Sequence, residues 1–107
     1  MKNVLITGAT GGIGQSLVSI YHSNGYNICA TGTNIDKLDF LEKKYKERVK
    51  CIKCDLSKSS QIEEMVTKSK DFYGATNVLI NNAGVTKDNL LLRMSDSEWE
   101  EVININL

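Results

Sequence analysis

The sequence predicts an α/β protein built on a doubly wound parallel sheet. Three observations carry this prediction: short apolar runs without alternation, amphipathic stretches between them, and a glycine-rich segment directly after the first run. Unalternating apolar strands are typical of a parallel sheet whose two faces are both covered by helices. Because crossovers between parallel strands are right-handed, the helices divide between the two sides of the sheet.

Strands and helices alternate along the chain. We expect strands at the apolar runs 4–6, 26–30, 49–54 and 78–80, in the spatial order 3-2-1-4. The 3.6-residue period predicts three helices between them, through Ile13, Leu17, Ile20 and Tyr21, through Leu38, Leu41 and Tyr45, and through Ile62, Met65, Val66, Ser69 and Phe72.

A fourth helix is expected after the fourth strand. Ser95 and Glu98 have the spacing of a capping box, and Met94 and Trp99 occupy the staple positions around it. Its apolar stripe comprises Trp99, Val102, Ile103 and Asn106. The fold is thus expected to stop after the fourth strand and this helix, as one domain over residues 1–107.

Such an arrangement leaves one edge of the sheet open. Residues 78–81 would form an exposed apolar edge, which invites pairing with another chain. We therefore expect the isolated polypeptide to be marginally stable, and to be a homo-oligomer or bound to a partner through this edge.

Composition excludes several classes of partner. Thirteen basic and thirteen acidic residues cancel, which argues against nucleic acid or a membrane surface recognised mainly by charge. No apolar run reaches the ~18 residues that a membrane-spanning helix needs. The first residues do not resemble a signal peptide, so the expected location is the cytoplasm, with the three cysteines as thiols.

The cysteines and the single histidine do not predict a metal or redox site. Cys51 and Cys54 form a C-x-x-C motif, but on a strand residues three apart point to opposite faces. No second pair exists, and His22 is distant in sequence, so a histidine at a helix end or on the surface is expected.

Four glycines lie between the first apolar run and the first helical pattern. They are Gly8, Gly11, Gly12 and Gly14. A helix N-terminus presents unpaired N–H groups and partial positive charge, and glycine lets the backbone approach a phosphate closely. This context favours a dinucleotide's pyrophosphate, although a turn that only packs the helix on the strand is the alternative.

Two motifs resemble the short-chain dehydrogenase/reductase family. TGATGGIG matches that family's TGxxxGxG pattern, and NNAG, at residues 81–84, matches its second signature. The run NNAGVTKDNLLLRMSDSEWEEVININL further resembles the 3-oxoacyl-[acyl-carrier-protein] reductases of fatty-acid biosynthesis. The resemblance extends over the whole chain and implies a Rossmann-type fold.

The resemblance implies a set of cofactor-binding residues. Gly8, Ala9, Thr10, Gly11, Gly12, Ile13 and Gly14 match the phosphate loop, Asp55 and Leu56 the pair that meets the adenine, and Asn82, Ala83 and Gly84 the adenosine-ribose side. Asn81 ties neighbouring strands together in the family. For Asp55, a residue that starts the following helix is the alternative.

The cofactor is expected to be NADP(H) rather than NAD(H). An acidic residue at the end of the second strand would bond the ribose 2′-hydroxyl and favour NAD, but the segment 30–34 contains none. Thr33 matches a position near the 2′-phosphate in the family. Many NADPH-using relatives have a basic residue in the glycine loop, where this chain has Gly11. Lys37 could substitute, or could be a solvated helix charge.

Asn106 matches the asparagine of the family's Asn-Ser-Tyr-Lys catalytic set. In that scheme tyrosine protonates the carbonyl, lysine lowers the tyrosine pKa, and asparagine holds a water of the proton relay. No tyrosine follows Asn82, so the Ser, Tyr and Lys partners are absent and the sequence resembles a fragment. A simple helix-end residue is the alternative for Asn106.

Two kinds of function therefore remain, beside a structural domain whose glycines serve only packing. One is an NADPH-dependent reduction of a 3-oxoacyl-[acyl-carrier-protein], with another NAD(P)-linked ketone or alcohol oxidoreductase as the variant within that class. The other is a non-catalytic dinucleotide-binding module, or a remnant that depends on a partner.

Overall fold

The computed structural model describes residues 2–82 and 103–106. Five strands and three helices lie within them: β1 (Asn3–Ile6), α1 (Gly12–Ser23), β2 (Asn27–Gly32), α2 (Ile35–Lys44), β3 (Val49–Lys53), α3 (Ser59–Tyr73), β4 (Val78–Asn81) and β5 (Ile103–Asn106). None of the helices in this part of the chain has the length and apolar character needed to cross a membrane.

All strand pairs of the sheet are parallel, and the strand order is β3-β2-β1-β4-β5. The predicted order 3-2-1-4 and the three helices between these strands are thereby confirmed. Strand β1 lies at the centre, with all four of its residues buried. Parallel strands of this kind need apolar side chains on both faces, which explains the unbroken hydrophobic runs.

Two hydrophobic cores cover the two faces of the sheet. On one face, Val4, Ile6, Ile28 and Ile80 pack with Val18 of α1 and Leu41 of α2; on the other, Leu5, Cys29, Ile52 and Leu79 pack with Ile62 and Met65 of α3. Alternate residues of each strand thus enter opposite cores, as the pleat of a strand requires. These contacts hold the helices against the sheet. Because the strands are parallel, the loops at their carboxyl ends lie along the same edge of the sheet.

Asn3 ties the opposite end of the sheet together. Its Nδ2 donates to the carbonyls of Tyr73 and Ala75, both at 2.8 Å, and its Oδ1 accepts from Nδ2 of Asn27 at 3.1 Å. Its backbone N–H donates to Oδ1 of Asn77 at 2.8 Å. These bonds join the starts of three strands, so the half-buried polar groups there are satisfied within the chain.

The prediction of a helix through Ile103 and Asn106 is wrong. These residues belong to β5, which pairs with β4 in the register Val78↔Ile103 to Asn81↔Asn106. The sequence Ile-Asn-Ile-Asn alternates with a period of two, and β-branched residues favour strands. Pairing with β4 also satisfies backbone groups at the sheet edge that a helix at this position would leave without partners.

The prediction of an exposed β4 edge is wrong for the same reason. Strand β5 lies along that edge and pairs with β4. Within the described residues, β4 therefore has no open edge through which another chain could associate. The capping box at Ser95 and Glu98, with Met94, Trp99 and Val102, lies outside the described residues.

Candidate functional site

The loop between β1 and α1 is shaped by two glycines. Gly8 has a φ of 62°, in the left-handed region that glycine adopts without a steric penalty. Gly14 is buried in the first turn of α1, where a Cβ would lie 2.6 Å from Cα of Ala9 and closer still to the carbonyl oxygen of Gly8. The helix can therefore approach the loop this closely only because residue 14 has no side chain.

The N-terminal end of α1 presents backbone N–H groups. Its N-cap, Gly11, makes no side-chain cap, and the first turn contains no acidic residue. The amide of Gln15 donates to the carbonyl of Gly11 at 2.9 Å, but no described residue accepts from the amides of Gly12, Ile13 or Gly14. Such a helix end suits an anion, because the unpaired N–H groups and the helix dipole both favour negative charge.

Space for a ligand lies against this helix head. A Cβ at Gly12 would have no atom within 4 Å in the part of the chain that the structure describes. Beside the loop, the carboxyl ends of β1, β2 and β3 border an open cleft of about 280 Å³. It is lined by Gly8, Thr10, Thr31, Gly32, Thr33, Cys54, Asp55, Leu56 and Ser57. The cleft thus combines residues from three successive strand–helix junctions.

The end of β2 forms one wall of the cleft and carries no acidic side chain. Thr31 and Gly32 are buried, and Thr33 is exposed. The next acid along the chain is Asp36, in the first turn of α2. Oδ1 of Asn34 accepts from the amide of Lys37 at 3.1 Å, so the Asn34 side chain caps α2. The Lys37 side chain is exposed.

Asp55 borders the cleft and also organises the turn before α3. Its Oδ1 accepts from the amide of Ser57 at 3.0 Å and from Oγ of Ser57 at 2.7 Å. These hydrogen bonds hold the pKa of the Asp55 carboxyl below its ordinary value, because they favour the charged form. The neighbouring Leu56 is buried at 8% exposure. The structure thus places Asp55 both at the cleft and in the turn that precedes α3.

The end of β4 braces the glycine loop from the other side. The amide of Asn82 donates to Oγ1 of Thr7 at 3.1 Å, and its Nδ2 donates to the carbonyl of Gly8 at 3.2 Å. The amide of Thr7 in turn donates to the carbonyl of Ile80 at 3.0 Å. Asn82 therefore positions the loop. Ala83 and Gly84 lie outside the described residues.

Asn106 lies at the carboxyl end of β5, opposite Asn81 in the strand register. Its backbone is thus at the same edge of the sheet as the cleft, although β4 and β1 lie between β5 and β2. Sequence reasoning missed Thr7, Thr31, Gly32, Cys54 and Ser57 as parts of the loop and the cleft. The sequence could have indicated these residues, because each lies within two positions of a residue assigned to the cofactor.

Cys51 and His22 lie outside the cleft, whereas Cys54 is one of the residues that line it. Cys51 packs in the core of α1 and α2 and Cys54 in the core of α3, on opposite faces as the sequence predicts. Burial raises the pKa of the Cys51 thiol to about 12 and that of Cys54 to about 11. The His22 ring packs on Tyr45, 4.7 Å between centroids, in the last turn of α1.

Comparison with known proteins decides the family. The sequence model described as short chain dehydrogenase matches residues 2–107, almost the whole chain. The chain belongs to the short-chain dehydrogenase family. Within residues 2–82 and 103–106, no cluster of His, Cys, Asp or Glu is arranged to hold a metal ion.

Individual short-chain dehydrogenases match at moderate identity. Nodulation protein G of Rhizobium sp. (strain N33) is 36% identical over 106 residues, covering 99% of this chain and 43% of that protein. A 3-oxoacyl-[acyl-carrier-protein] reductase of Staphylococcus epidermidis is 36% identical over 110 residues, covering 99% and 45%.

The fold is shared with solved structures. A structure described as a 3-oxoacyl-reductase from Bacillus thuringiensis superposes with a TM-score of 0.74 at 26% identity, covering 79% of this chain and 37% of that one. This chain therefore spans less than half the length of the short-chain dehydrogenases that it matches.

Proposed function

We propose that residues 1–107 form a single NAD(P)-binding domain of an NADPH-dependent 3-oxoacyl-[acyl-carrier-protein] reductase. The reaction would be the reduction of a 3-ketone on an acyl-carrier-protein thioester, in cytoplasmic fatty-acid biosynthesis. The Staphylococcus epidermidis relative, which carries this activity in its name, supports the assignment. So does the match of the short chain dehydrogenase model along the chain.

The observation that carries the proposal is the open head of α1. The amides of Gly12, Ile13 and Gly14 find no acceptor among the described residues, and none of these residues places an atom within 4 Å of a Cβ built at Gly12. These groups would hold the pyrophosphate of the cofactor. Asp55 and Leu56 would border the adenine, and Asn82, with Ala83 and Gly84, the adenosine-ribose side.

The β2 end supports NADPH as the cofactor. A carboxylate at this position would accept from the ribose 2′-hydroxyl of NADH and repel a 2′-phosphate. The residues there are Thr31, Gly32 and Thr33, which carry no charge. Thr33 would contact the phosphate with its hydroxyl. Lys37, exposed in the first turn of α2, would add a positive charge near it.

Catalysis needs more groups than the cleft supplies. The bound nicotinamide would supply the hydride. Asn106 is the member of the Asn-Ser-Tyr-Lys set to which the family resemblance points, and it would hold a water of the proton relay. The tyrosine, lysine and serine of that set would come from polypeptide other than residues 1–107, because all four tyrosines here precede Asn82.

Titration with NADPH and with NADH, followed by nicotinamide fluorescence, tests the cofactor assignment. We expect saturable binding of NADPH and binding of NADH that is weaker by tenfold or more. Gly12→Asp would place a negative charge at the anion position without a protein clash and should abolish binding. Ser19→Asp, on an exposed position of the same helix, is the matched control and should bind as the wild type. Equal binding by Gly12→Asp would refute the proposed site.

A non-catalytic dinucleotide-binding module is the second candidate. The absence of a Tyr-x-x-x-Lys pattern from the sequence favours it. Incubation of the 107-residue chain with NADPH and a 3-oxoacyl thioester distinguishes the two. Binding without turnover supports the module for this polypeptide. Oxidation of NADPH that depends on the thioester rejects it, and turnover of a different ketone or alcohol instead indicates another oxidoreductase of the family.

A further inference from the structure

The turn that ends α1 combines an exposed asparagine with a glycine. Asn24 and Gly25 are both exposed, and Asn24 is the only asparagine of the sequence that glycine follows. In such a pair the backbone nitrogen of glycine can attack the side-chain amide carbon, because glycine has no side chain to hinder the approach. Asparagine is among the heat-labile residues of proteins. The pair therefore carries a chemistry that the cleft does not use.

The fold requires the glycine at this position. The amide of Tyr26 donates to the carbonyl of Tyr21, and the amide of Gly25 donates to the carbonyl of His22, each at 3.1 Å. These are the two hydrogen bonds of a Schellman motif. The φ of Gly25 is 82°, in the left-handed region where a residue with a Cβ is strained. The end of the helix therefore depends on the same glycine that makes Asn24 reactive.

Both reacting groups are engaged while the turn is closed. The N–H of Gly25 is bonded to the carbonyl of His22, and Nδ2 of Asn24 donates to the carbonyl of Ile20 at 2.7 Å. Attack by the nitrogen of Gly25 needs both hydrogen bonds to break. The reaction rate is therefore tied to how often this turn opens.

Arg48 holds the turn closed from the segment between α2 and β3. Its Nη1 donates to the carbonyl of His22 at 3.1 Å and to the carbonyl of Tyr26 at 2.9 Å. These two carbonyls flank the pair of Asn24 and Gly25 along the chain. The backbone of Arg48 has a φ of 64°, which is uncommon for a residue other than glycine. The fold thus accepts a strained residue where its guanidinium bridges the turn.

We propose that Asn24 is a site of spontaneous deamidation, and that the Arg48 bridge sets its rate. When the turn opens, the nitrogen of Gly25 bonds to Cγ of Asn24. The bond from Cγ to Nδ2 breaks, and the side-chain NH2 leaves as ammonia with the proton of the Gly25 amide. Water then opens the cyclic imide at either carbonyl and leaves an aspartate or an isoaspartate. This inference is independent of the proposed cofactor and substrate.

Peptide mapping by mass spectrometry of the folded 107-residue chain, incubated at mildly alkaline pH, tests the site. Asn34, which is also exposed and is followed by isoleucine, is the internal control. We expect conversion at Asn24 to be about tenfold or more faster than at Asn34, because the branched side chain of Ile35 hinders attack. Equal conversion at the two asparagines would overturn the proposal.

The aspartate product is expected to weaken the end of α1. Its carboxylate would lie at the C-terminal end of the helix, where the helix dipole disfavours negative charge. Asn24→Asp should therefore have a lower urea midpoint than Asn34→Asp, whose carboxylate lies at the favourable N-cap of α2. Equal midpoints for the two variants would contradict this effect of the modification.

Arg48→Gly tests the bridge. The substitution removes the guanidinium and suits the φ of 64°. Lys46→Ala, which removes an exposed positive charge from the same segment, is the matched control. We expect deamidation at Asn24 to be about threefold or more faster in Arg48→Gly and unchanged in Lys46→Ala, with both chains folded by circular dichroism. An unchanged rate in folded Arg48→Gly would overturn the role of the bridge.

Hydrogen exchange in the wild type covers an Arg48→Gly chain that does not fold. The amide of Ile28, which donates to the carbonyl of Arg48 at 2.8 Å, is the reference in the neighbouring strand. We expect the amide of Gly25 to exchange about tenfold or more faster than that of Ile28, because the turn opens without unfolding of the sheet. Equal protection of the two amides would overturn the proposal, because Asn24 would then react only after global unfolding.

Discussion

Gly14 is the residue on which the geometry of the loop depends most directly. Its missing side chain lets the first turn of α1 pack against Gly8 and Ala9, and the same contact sets the direction of the helix head. Gly12, two residues earlier, has no described atom within 4 Å of the position of a Cβ. The two glycines thus differ: Gly14 permits a contact within the protein, and Gly12 lies at the proposed anion position.

Gly14→Ala is expected to destabilise the chain by about 1–3 kcal/mol, because the new Cβ would force the loop backbone to move. Gly12→Ala is the matched control. It should leave the free energy of unfolding within about 0.5 kcal/mol of the wild type, since nothing lies near its Cβ. Urea unfolding followed by circular dichroism measures both. An equal loss of stability in the two variants would contradict the close contact at Gly14.

Asp55 makes a pH-dependent contribution to stability. Its pKa is lowered in the folded chain by the hydrogen bonds from Ser57. A carboxyl whose folded pKa is lowered stabilises the protein above its unfolded pKa, and this contribution is lost as the pH falls through the folded value. Asp55→Ala should therefore be less stable than the wild type at pH 7, and the difference should shrink below the ordinary aspartate pKa of about 4.

The midpoint of urea unfolding, measured for both proteins from pH 7 to pH 3, checks this expectation. Ser57→Ala removes the hydroxyl donor but retains the amide donor, so it should reproduce part of the loss at pH 7. A stability difference between Asp55→Ala and the wild type that stays constant down to pH 3 would show that the Asp55 charge is not responsible.

At the scale of elements, β3 and β4 are kept from pairing with another chain in different ways. On the β3 edge, the amide of Cys51 donates to Oε1 of Glu42 at 2.7 Å, and Lys50 and Lys53 are exposed. Charged side chains on an edge strand discourage pairing with another chain. On the other side, β5 pairs with the buried apolar strand β4 and takes its place as the edge.

Ile105→Pro should open this second edge. Proline cannot donate to the ladder, and its φ does not suit a parallel strand, so pairing of β5 with β4 would be disrupted. We expect a loss of about 1–3 kcal/mol in stability, from broken hydrogen bonds. We also expect concentration-dependent association in analytical ultracentrifugation. Ile105→Val, which preserves the β-branched side chain and the amide, is the control. A Pro variant as stable and as monodisperse as the Val variant would contradict the role assigned to β5.

At the scale of the whole molecule, the cleft connects separate parts of the chain. Its walls come from the ends of β1, β2 and β3, and the glycine loop is braced by Asn82 after β4. A ligand bound there contacts segments that are far apart in sequence. Binding is therefore expected to stabilise the entire fold.

NADPH at 100 times its dissociation constant should raise the free energy of unfolding by about 2.7 kcal/mol. In a domain of this size that corresponds to an increase in Tm of roughly 10–20 °C. Thermal unfolding with and without NADPH measures the shift. Gly12→Asp should unfold at the same Tm with and without the nucleotide, whereas Ser19→Asp should be stabilised like the wild type. A shift in Gly12→Asp as large as in the wild type would place the nucleotide elsewhere.

The sequence by itself determined the order of β1–β4, the three helices between them and the position of the glycine loop. These features follow from local patterns: apolar runs, the 3.6-residue period, and glycine at a strand–helix junction. Val4 and Leu41 were assigned correctly, because burial of a periodic apolar face is the strongest local signal. The apolar period predicted for α1 does not mark its buried face, since Ile13 and Ile20 are 64% and 56% exposed and Val18 is buried instead.

Only the tertiary structure decided the conformation of residues 103–106. Their sequence fits two periods: Val102, Ile103 and Asn106 suit a helix, and the alternation of Ile and Asn suits a strand. The open edge of β4 selected the strand, because backbone groups at a sheet edge gain partners there. The bracing of Gly8 by Asn82 likewise depends on a contact between distant segments. Such contacts leave no periodic trace in the sequence.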